Sequence, residues 1–588
     1  MIDSFETTQN ITIKQNQNPV ENRLNRLLDE EGLSIYRFSL HHETEFIPKP
    51  IILEWKFPAV GVLGVWKPTA DFSKRIEADW ELGNHESRIS IDAPVLALFR
   101  ANDENGLCFS CSNAINRIEM SAKYREEDNN FYCQVILFTE CKYPIKDFSI
   151  DIRLDSRKMP FFEALRQTST WWESYEFLKP AYVPNITKQP LYSTWYQFHQ
   201  DLDEQLLLKE CSIAKKMGFE AIIIDDGWQT KDNNRGYDYT GDWRPEHFED
   251  FGRLVRNIQD IGLKVGVWYS VPFCGTKSEA YKRFKGKFLT ENHRWAPVFD
   301  PRFPEVREYL VNTYLQAARD WNLDGFKLDF IDDFKSYPET SFDLNDGKDL
   351  LSINAAVDIL LTEVHAELQK INPEIFIEFR QKYTGPAMRK YGNMLRAFDC
   401  PGDYTMNRVR IADIKMLAGN TAVHADMVKW NFDETVEAAA LHYINTFFGV
   451  PQISVMLSEA QTSHLNMITF YTKYWRENSE ILLHGEFSPK LPLENYPVQS
   501  ATKDDKIIFG LHSDQIISLQ STMDAIDVLN AKSSEKVLVD ATSDFGEYDY
   551  AIYDCKGNII AKDTIKVTQG INLFHVPASG LLQLQRIV

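Results

Sequence analysis

Residues 324–334 read DGFKLDFIDDF, a run in which four aspartates and one lysine stand among apolar side chains. Read as a β-strand, the aromatic and leucine side chains share one face, and Lys327 and Asp329 lie on the other. Charged side chains are rarely placed inside a sheet unless each has a partner or a chemical task. The stretch therefore predicts a buried strand that carries a functional Lys-x-Asp pair at its end.

The same alternation of a short apolar strand and an amphipathic helix recurs from about residue 190 to residue 490. The predicted strands are LYSTWYQ, EAIIIDD, KVGVWYS, DGFKLDF, EIFIEFR, NMLRAFD, NTAVHAD and PQISVM. Helices are predicted near 202–217, 248–261, 304–321, 350–370, 407–418 and 433–448. Eight such units fit a (β/α)8 TIM barrel, which typically takes about 250 residues before insertions. An open doubly wound sheet is the rival fold, but no glycine-rich phosphate turn follows the first strand.

The barrel region is flanked by β-rich sequence on both sides. Short apolar runs separated by turn-forming stretches predict an N-terminal β-sandwich domain over 1–184, ending in a helical linker from about residue 159. The pattern predicts the catalytic barrel over 185–490. A C-terminal small antiparallel β domain is predicted over 491–588.

Composition excludes several classes of partner. The chain has 588 residues, with 64 basic and 85 acidic side chains, for a net charge of −21. Nucleic acids and anionic membranes both require clustered Lys and Arg, so neither is expected as a partner. The eight cysteines form no dense framework, so neither a disulfide scaffold nor a zinc site is expected. No uninterrupted apolar run of about 18 residues occurs, so no membrane-spanning segment is expected. The polar N-terminus lacks a hydrophobic signal region, which predicts a cytoplasmic protein unless a cleaved signal preceded it.

Polar and aromatic residues gather at the predicted strand ends, where the active site of such a barrel lies. An aspartate after a strand is often only a helix N-cap, and a DDGW run can be a plain turn at Gly227. Taken together at one rim, however, these residues favour a binding or catalytic site. They are Trp195 and Tyr196, Asp225, Asp226 and Trp228, Trp268 and Tyr269, Lys327 and Asp329, Glu378 and Arg380, Asp399, His424 and Asp426.

This set suits cleavage of a glycosidic bond by two carboxyl groups, one attacking carbon or activating water and one protonating the leaving oxygen. An ammonium group such as Lys327 would lower the pKa of Asp329 and keep it ionised. The acid needs a less polar position, and the apolar neighbours Phe398 and Pro401 predict one for Asp399. Tryptophans provide flat walls for a sugar ring.

Several motifs resemble those of the retaining α-galactosidases of glycoside hydrolase family 36. IDDGWQ is similar to that family's DDGW segment, KVGVWYSVPF and DPRFPEVREYL to the segments that follow, and DGFKLDF to its YVKWD motif. The resemblance implies that Asp329 is the nucleophile and that Lys327 orients hydroxyl groups beside it. It also implies that Asp225 and Asp226 bind the O4 and O6 hydroxyls that distinguish galactose from glucose.

Two segments depart from the family pattern and indicate a divergent branch. The family has a cysteine- and glycine-rich loop after the fifth strand, where this chain has EFRQKYTG with Arg380. Its acid/base strand reads W-T-S-D-D-T-D, whereas this chain has RAFDCPGDYTMNR. One alignment places the acid/base on Asp399, which we favour, and another places it on Asp403.

The expected protein is a retaining α-glycosidase, most simply an α-galactosidase, with Asp329 as nucleophile and Asp399 as acid/base. It needs no metal and no organic cofactor, and its partner is an α-galactoside; the resemblance implies that it can form a homo-oligomer. The expected substrate-binding residues are Asp225, Asp226, Trp228, Trp195, Trp268, Lys327, Arg380 and His424. Three other activities stay open: an α-N-acetylgalactosaminidase, a transglycosylase on the same scaffold, and a non-catalytic sugar-binding protein. A fourth alternative is a metal-dependent barrel hydrolase built on Asp225, Asp226, Asp329, Asp332 and His424.

Overall fold

A computed structural model describes residues 11–15, 21–69, 71–232, 236–344 and 347–587. Positions 1–10 and 16–20, on which the expectation about a signal peptide depends, lie outside these residues. Within the described ranges, the helices are all too short or too polar to span a lipid bilayer.

The centre of the molecule is a sheet of eight parallel strands that closes on itself. Around the sheet the strands follow their chain order, from the seventh back to the first, and the eighth lies beside the first. Backbone hydrogen bonds join the two ends: Ala425 N–H donates to Val450 O at 3.0 Å, and Val450 N–H donates to Val423 O at 2.7 Å. The barrel prediction is confirmed, and the open sheet is excluded. Barrel strands 1 to 8 are Leu191–Ser193, Ala221–Ile224, Lys264–Ser270, Gly325–Asp329, Phe376–Arg380, Met394–Arg396, Ala422–His424 and Gln452–Ile453.

Helices connect the barrel strands, except that a single 3-10 turn, Met388–Lys390, lies between barrel strands 5 and 6. Several helices begin at a side-chain cap, as where Asp203 accepts a hydrogen bond from Leu206 N–H and Asp250 from Arg253 N–H. The main helices are Glu204–Lys216, Phe251–Ile261, Pro304–Trp321, Ile353–Ile371, Tyr404–Lys415, Val436–Ile444 and Thr462–His484. Shorter elements are the helices Trp195–Phe198 and Glu279–Arg283, the strands Phe288–Thr290 and Val298–Phe299, and the 3-10 turn Ile331–Asp333.

Barrel strand 1 is shorter than predicted. The predicted strand ran through LYSTWYQ, but the strand stops at Ser193 and the chain turns into the four-residue helix Trp195–Phe198. The N–H of Phe198 donates to the carbonyl of Thr194, which is the helical hydrogen bond that replaces further strand pairing.

The N-terminal region forms two six-stranded sheets that share one buried core. Trp55 of the first sheet meets Phe109 of the second edge-to-face, with ring centroids 5.0 Å apart, so the sheets pack face to face. The first sheet contains Thr12–Gln15, Ile51–Pro58, Glu77–Ala78, His85–Ser87, Ile118–Arg125 and Asn130–Leu137. The second contains Glu21–Glu30, Leu33–Phe46, Val62–Trp66, Val95–Arg100, Asn105–Cys111 and Ile145–Asp155. The helix Phe161–Glu173 follows as predicted.

Cys108 and Cys111 have the C-x-x-C spacing of a redox or zinc motif but cannot act together. Both lie on the strand Asn105–Cys111, where residues three apart point to opposite faces. Cys108 packs into the core that faces the barrel, whereas Cys111 packs between the two N-terminal sheets. All eight cysteines are free thiols.

The C-terminal region is β-rich as predicted, but its sheets are not purely antiparallel. Lys506–Leu511 pairs in parallel with Ala525–Asn530, and Ile516–Leu519 pairs in parallel with Lys536–Ala541. The reason is that the chain crosses to the other sheet between the two strands of each pair, so it returns in the same direction. The larger sheet has Glu486–Lys490, Val498–Lys503, Lys506–Leu511, Ala525–Asn530, Gly546–Tyr553, Ile559–Val567 and Leu581–Arg586. The smaller sheet has Ile516–Leu519, Lys536–Ala541 and Gly570–His575.

All three regions meet at one buried carboxyl group. Asp413, on the helix Tyr404–Lys415, accepts hydrogen bonds from Trp66 Nε1 at 2.9 Å and from the Tyr496 hydroxyl at 2.6 Å. The ammonium of Lys74 lies 3.7 Å from its other oxygen. Trp66 and Lys74 belong to the N-terminal region and Tyr496 to the C-terminal one, so Asp413 ties both to the barrel.

A second contact joins the N-terminal region to the loop after barrel strand 5. The N–H of Asp92 donates to the carbonyl of Lys382 at 2.7 Å. Gly385 passes so close that a Cβ there would lie 2.2 Å from the Asp92 carbonyl oxygen. Only glycine fits this approach.

Candidate active site

Asp329 lies at the end of barrel strand 4 as the focus of four hydrogen-bond donors. Its Oδ1 accepts from Arg380 Nε and from the Tyr383 hydroxyl, each at 2.6 Å, and from the N–H of Phe330 at 2.7 Å. Its Oδ2 accepts from Trp268 Nε1 at 2.9 Å. Both oxygens are therefore fixed in direction by hydrogen bonds that they accept.

Electrostatics keep this carboxyl group ionised. Burial by itself would raise the pKa of Asp329, but the charges of Arg380 and Lys327 and the hydrogen bonds from Tyr383 and Trp268 lower it below its usual value. An ionised, oriented carboxylate on a rigid strand is what a nucleophile or a charge stabiliser requires.

Lys327 and Asp225 form a buried ion pair below the mouth of the barrel. The Nζ of Lys327 lies 2.6 Å from Asp225 Oδ2, and both residues are almost fully buried. Asp225 Oδ1 also accepts from the N–H of Asp226 at 2.9 Å. The two residues of the Lys-x-Asp pair on barrel strand 4 thus have different partners. Lys327 binds Asp225, the first aspartate after barrel strand 2, and its charge also lowers the pKa of Asp329.

Asp226 is held by two amide side chains. Gln200 Nε2 donates to its Oδ2 at 3.0 Å and Gln229 Nε2 to its Oδ1 at 2.6 Å. Burial raises its pKa to about 7. Gly227 follows with φ of 119° and with its Cα against Gln200, where a Cβ would come within 2.5 Å of backbone. The DDGW turn is therefore a tight glycine turn and also a polar site.

Asp399 lies in the mouth with its side chain 40% exposed, in contrast to the buried Asp329. Arg396 Nη2 donates to its Oδ1 at 2.8 Å. Arg410 Nη1 donates to the carbonyls of Phe398 and Asp399, at 2.9 and 3.0 Å, which fixes the main chain. The carboxyl group therefore stands on an anchored backbone and faces the open mouth.

The surroundings of Asp399 are not the apolar ones expected from its sequence neighbours. The Phe398 ring lies between the guanidinium groups of Arg380 and Arg410, at 4.8 and 5.2 Å. Burial favours the protonated form, but Arg396, Arg380 and Lys327 lower the pKa of Asp399 below its usual value. The expectation of a locally apolar acid was wrong because three cations converge on this side of the barrel.

Arg396 is a buried arginine on barrel strand 6 that contacts three carboxyl groups. In addition to Asp399, it pairs through Nη1 with Asp426, and its Nε lies 3.4 Å from Glu378 Oε1. Asp426 also accepts from the Tyr196 hydroxyl at 2.8 Å. Barrel strands 5, 6 and 7 are thereby joined by a single guanidinium group.

Asp403, the alternative acid/base, has a different position. It is exposed at the start of the helix Tyr404–Lys415, and its side chain caps that helix by accepting from Met406 N–H at 2.8 Å. A carboxylate used as a helix cap has its oxygen directed at the helix rather than at the mouth. The geometry favours Asp399.

Two of the expected substrate-binding residues do not face the mouth. Trp228 is fully buried, stacks on Trp243 and Phe251, and donates its Nε1 to the carbonyl of Trp268 at 2.8 Å. It is a core residue behind barrel strand 3. The sequence showed that it follows a strand, but not which way its ring turns.

His424 is the second. It is fully buried, with Nε2 2.6 Å from the carbonyl of Thr187 and Nδ1 3.0 Å from Gln452 Nε2. Burial lowers its pKa to about 4, so the ring is neutral at physiological pH. Both ring nitrogens already have protein partners, which leaves none for a sugar.

The other two tryptophans also differ from each other. Trp195 is partly exposed and meets His199 edge-to-face at 4.8 Å, so it can line the mouth. Trp268 is 1% exposed and serves Asp329 as a hydrogen-bond donor, with Tyr237 stacked against it at 6.0 Å. Arg380 and Lys327 both lie in the site as expected.

Several residues of the site were not foreseen. Arg396 stands as a charged residue within the apolar run NMLRAF, so the argument that singled out Lys327 could have found it. Tyr383 carried no such signal, because it follows barrel strand 5 in a loop whose return path cannot be read from sequence. The same is true of Gln200, which reaches Asp226 from the preceding loop.

The residues of the metal-dependent alternative do not form a ligand set. Lys327 and Arg380 occupy oxygens of Asp225 and Asp329, and His424 bonds to Thr187 and Gln452. In the described part of the chain, no three His, Cys, Asp or Glu side chains are grouped so as to hold a metal ion.

Comparisons with known proteins point to one family, although no protein-family model matches the chain. The α-galactosidase AgaA of Geobacillus stearothermophilus is 26% identical over 98 residues, which are 16% of this chain and 13% of that protein. The α-galactosidase Mel36A of Lactobacillus acidophilus is 30% identical over 97 residues, again 16% and 13%. These sequence matches span well under a quarter of the relatives' length.

The structural match is much more extensive. A crystal structure of a variant of the family 36 α-galactosidase AgaA from Geobacillus stearothermophilus, in complex with raffinose, superposes with a TM-score of 0.64 and 12% identity. The superposition covers 98% of this chain and 88% of that one. This chain resembles the α-galactosidases of glycoside hydrolase family 36 in short stretches of sequence and has the fold of their solved structures.

Proposed function

We propose that the protein is a retaining α-glycosidase, most simply an α-galactosidase, with Asp329 as nucleophile and Asp399 as acid/base. The observation that carries the proposal is the environment of Asp329, a buried carboxylate kept ionised by Arg380 and Lys327 at the end of a barrel strand. Asp399 faces the same mouth, and its charge also acts on Arg380. The comparisons support the broader class, a glycoside hydrolase.

The proposed reaction proceeds in two displacements. An oxygen of Asp329 attacks the anomeric carbon while the bond from that carbon to the leaving oxygen breaks, and Asp399 gives its proton to that oxygen. Water then attacks the same carbon, Asp399 takes a proton from it, and the bond to Asp329 breaks. Each displacement inverts the anomeric centre, so the product retains the α configuration. Sugar binding removes solvent from Asp399, and this desolvation raises its pKa so that it can hold the proton.

The substrate class follows from the polar groups and from the relative. Asp225, Asp226 and Lys327 form a polar cluster suited to ring hydroxyls, and the partly exposed ring of Trp195 suits a sugar face. The relative AgaA was solved with raffinose, which makes an α-galactoside oligosaccharide the first substrate to test. Arg380 is the residue that most distinguishes this chain from the family pattern. Because this difference lies in the site, the second substrate to test is a related sugar, an α-N-acetylgalactosaminide.

The wider assignments remain part of this proposal. The division into an N-terminal β-sandwich over 1–184, a catalytic barrel over 185–490 and a C-terminal β domain over 491–588 is compatible with the observed sheets. A cytoplasmic location and a homo-oligomeric state are predictions from the sequence and its resemblance.

The proposal is tested by azide rescue of two variants on aryl α-galactosides. Asp329→Ala should lose at least about three orders of magnitude in kcat/KM, because no covalent intermediate can form. Azide in the vacated space should attack the substrate once and give the β-galactosyl azide. Asp399→Ala should still form the intermediate from an activated substrate, and azide should then give the α-galactosyl azide.

Opposite configurations of the two azides would identify both roles together, and an unimpaired Asp329→Ala variant would refute the nucleophile assignment. Release from a different α-glycoside in the wild type would keep the mechanism and change the sugar. A transglycosylase would instead transfer the glycosyl group to sugars at high acceptor concentration, and product analysis measures that ratio directly.

A further inference from the structure

Arg396 binds two carboxyl groups with its two terminal nitrogens. Nη2 donates to Oδ1 of Asp399 at 2.8 Å, and Nη1 pairs with Oδ1 of Asp426. Arg396 and Asp426 are fully buried, whereas Asp399 is 40% exposed. A planar guanidinium holds its two partners at a fixed separation. Two acidic groups on one cation, one sealed and one open to solvent, are therefore close enough to influence each other's charge.

Asp426 is fully engaged and fixed in place. Its Oδ2 accepts from the Tyr196 hydroxyl at 2.8 Å and from the N–H of Cys400 at 2.7 Å. Its backbone exchanges hydrogen bonds with the Asn407 side chain in both directions, at 2.8 and 3.0 Å. By contrast, Oδ2 of Asp399 has no hydrogen-bond partner among the described residues. Asp426 cannot reach a substrate, so any effect on the reaction passes through Arg396 and Asp399.

We propose that Asp399 and Asp426 bind one proton as a pair across Arg396, and that Asp426 is thus a positioning residue that keeps the proton of the acid available. The inference rests on the function proposed above, since it assigns Asp399 the acid role. Arg380 and Lys327 are already paired with Asp329 and Asp225, so Arg396 is left with two ionised carboxylates, and the second negative charge favours uptake of a proton. Because Asp399 is open to solvent, the proton exchanges through water and needs no direct path between the two carboxyl groups.

The pKa of Asp426 supports this reading. Burial raises it to about 6, and the negative charge of Asp399 acts in the same direction, against the charge of Arg396. The pair would then take up its first proton near pH 6 and its second below the usual pKa of an aspartate. Other charged or titratable groups face this pair from the surrounding elements. They are Lys327 and Asp329 on barrel strand 4, Glu378 and Arg380 on barrel strand 5, Tyr196 after barrel strand 1, and Cys400 and Arg410 beyond barrel strand 6.

The test is an infrared titration of protein labelled with 13C-aspartate, which needs no substrate. In the wild type, a carboxyl band of this pair should titrate near pH 6, below the bands of Asp92 and Asp226, whose pKa values burial raises to about 7. In Asp426→Asn, the remaining Asp399 has Arg396 to itself, so this midpoint should fall by about one unit or more; Asp399→Asn should lower it likewise. Arg396→Gln should raise it, because two carboxylates then repel each other without a cation. Arg389→Gln is the matched control, a buried arginine paired with Glu173 away from the mouth, and it should leave the midpoint unchanged.

Independent titration of the two groups, seen as an Asp399→Asn midpoint within about 0.3 unit of the wild type, would overturn the pair, because Asp426 would then titrate unaffected by Asp399. If Arg396→Gln or Asp426→Asn fails to fold, Asp399→Asn still gives the answer, because it replaces a partly exposed side chain and leaves Asp426 as the titrating group. In an active enzyme, the basic limb of the kcat/KM profile should move with the infrared midpoint. A shifted midpoint without any glycosidase activity would refute the proposed function and leave the pair intact.

Discussion

At the scale of single residues, Lys327 contributes to two carboxyl groups. It forms a buried ion pair with Asp225 and lowers the pKa of Asp329 through its charge. Removing one partner of a buried pair leaves an uncompensated charge inside the protein. Lys327→Met should therefore lower the free energy of unfolding by about 3–5 kcal/mol, measured by chemical denaturation. The double variant Lys327→Met, Asp225→Asn should recover part of that loss. Equal unfolding free energies for Lys327→Met and the wild type would contradict the prediction.

Arg380 sets the acidic limit of activity in this mechanism. The pKa of Asp329 lies below its usual value. In the proposed mechanism the nucleophile is therefore ionised at any pH above this lowered pKa, and activity is lost only as the pH falls through it. In Arg380→Gln the nearest cation is gone, and the pKa should rise by about 1–3 units. The acidic limb of the kcat/KM profile should move to higher pH by the same amount.

Arg302→Gln is the control for this shift. Arg302 is also a buried arginine with a bidentate carboxylate partner, Asp300, but it makes no contact with Asp329 or Asp399. It should lower stability without moving the acidic limb. An unmoved limb in Arg380→Gln would mean that Lys327 and the hydrogen bonds from Tyr383 and Trp268 suffice to hold Asp329 ionised.

At the scale of elements, the start of the helix Tyr404–Lys415 distinguishes the two candidates for the acid/base, Asp399 and Asp403. Asp403 caps its first turn, and such caps contribute about 1 kcal/mol to stability. Asp403→Ala should therefore lower the unfolding free energy by about that amount and leave kcat within about twofold of the wild type. Asp203→Ala removes the same kind of cap from the helix Glu204–Lys216 and should behave alike. Loss of turnover in Asp403→Ala, but not in Asp203→Ala, would return the acid role to Asp403.

The strands and helices of the barrel were largely predictable, because most are short apolar runs or amphipathic segments and several of the helices begin at a side-chain cap. Barrel strand 1 was overextended, since Trp195 and Tyr196 suit a strand as well as the short helix that they form. The position of Asp329 followed from its place at a strand end. Three of the donors to its carboxyl group, Arg380, Tyr383 and Trp268, come from other parts of the barrel, and their convergence depends on the closed sheet.

Side-chain direction was the part that the sequence could not supply. Trp228 follows barrel strand 2 and His424 ends barrel strand 7, yet one turns into the core and the other into the barrel interior. Phe330 adopts a left-handed backbone with φ of 64°, a conformation that costs a non-glycine residue about 1–2 kcal/mol. This turn directs the N–H of Phe330 to Asp329, and the sequence DFIDD contains no signal that predicts it.

At the scale of the whole molecule, the junction at Asp413 predicts cooperative unfolding. Its carboxyl group binds Trp66, Tyr496 and Lys74, and one continuous buried core contains residues of all three regions. Calorimetry should show a single transition for the wild type. Asp413→Ala leaves the buried Lys74 without its counter-charge and should lower the unfolding free energy by about 3–5 kcal/mol. A calorimetric trace with separate transitions for the flanking regions would contradict a shared core.

The contact between Asp92 and the loop after barrel strand 5 has a consequence for synthesis on the ribosome. The backbone of Asp92 holds that of Lys382, which follows it by about 290 residues. At 5–20 residues per second, the N-terminal sheets wait roughly 15–60 s before the loop that they support has been translated. During that interval their barrel-facing side, with Trp66 and Cys108 in its apolar surface, has no partner. The nascent chain therefore presents a hydrophobic face for longer than most small domains take to fold. A holdase chaperone would bind at that face.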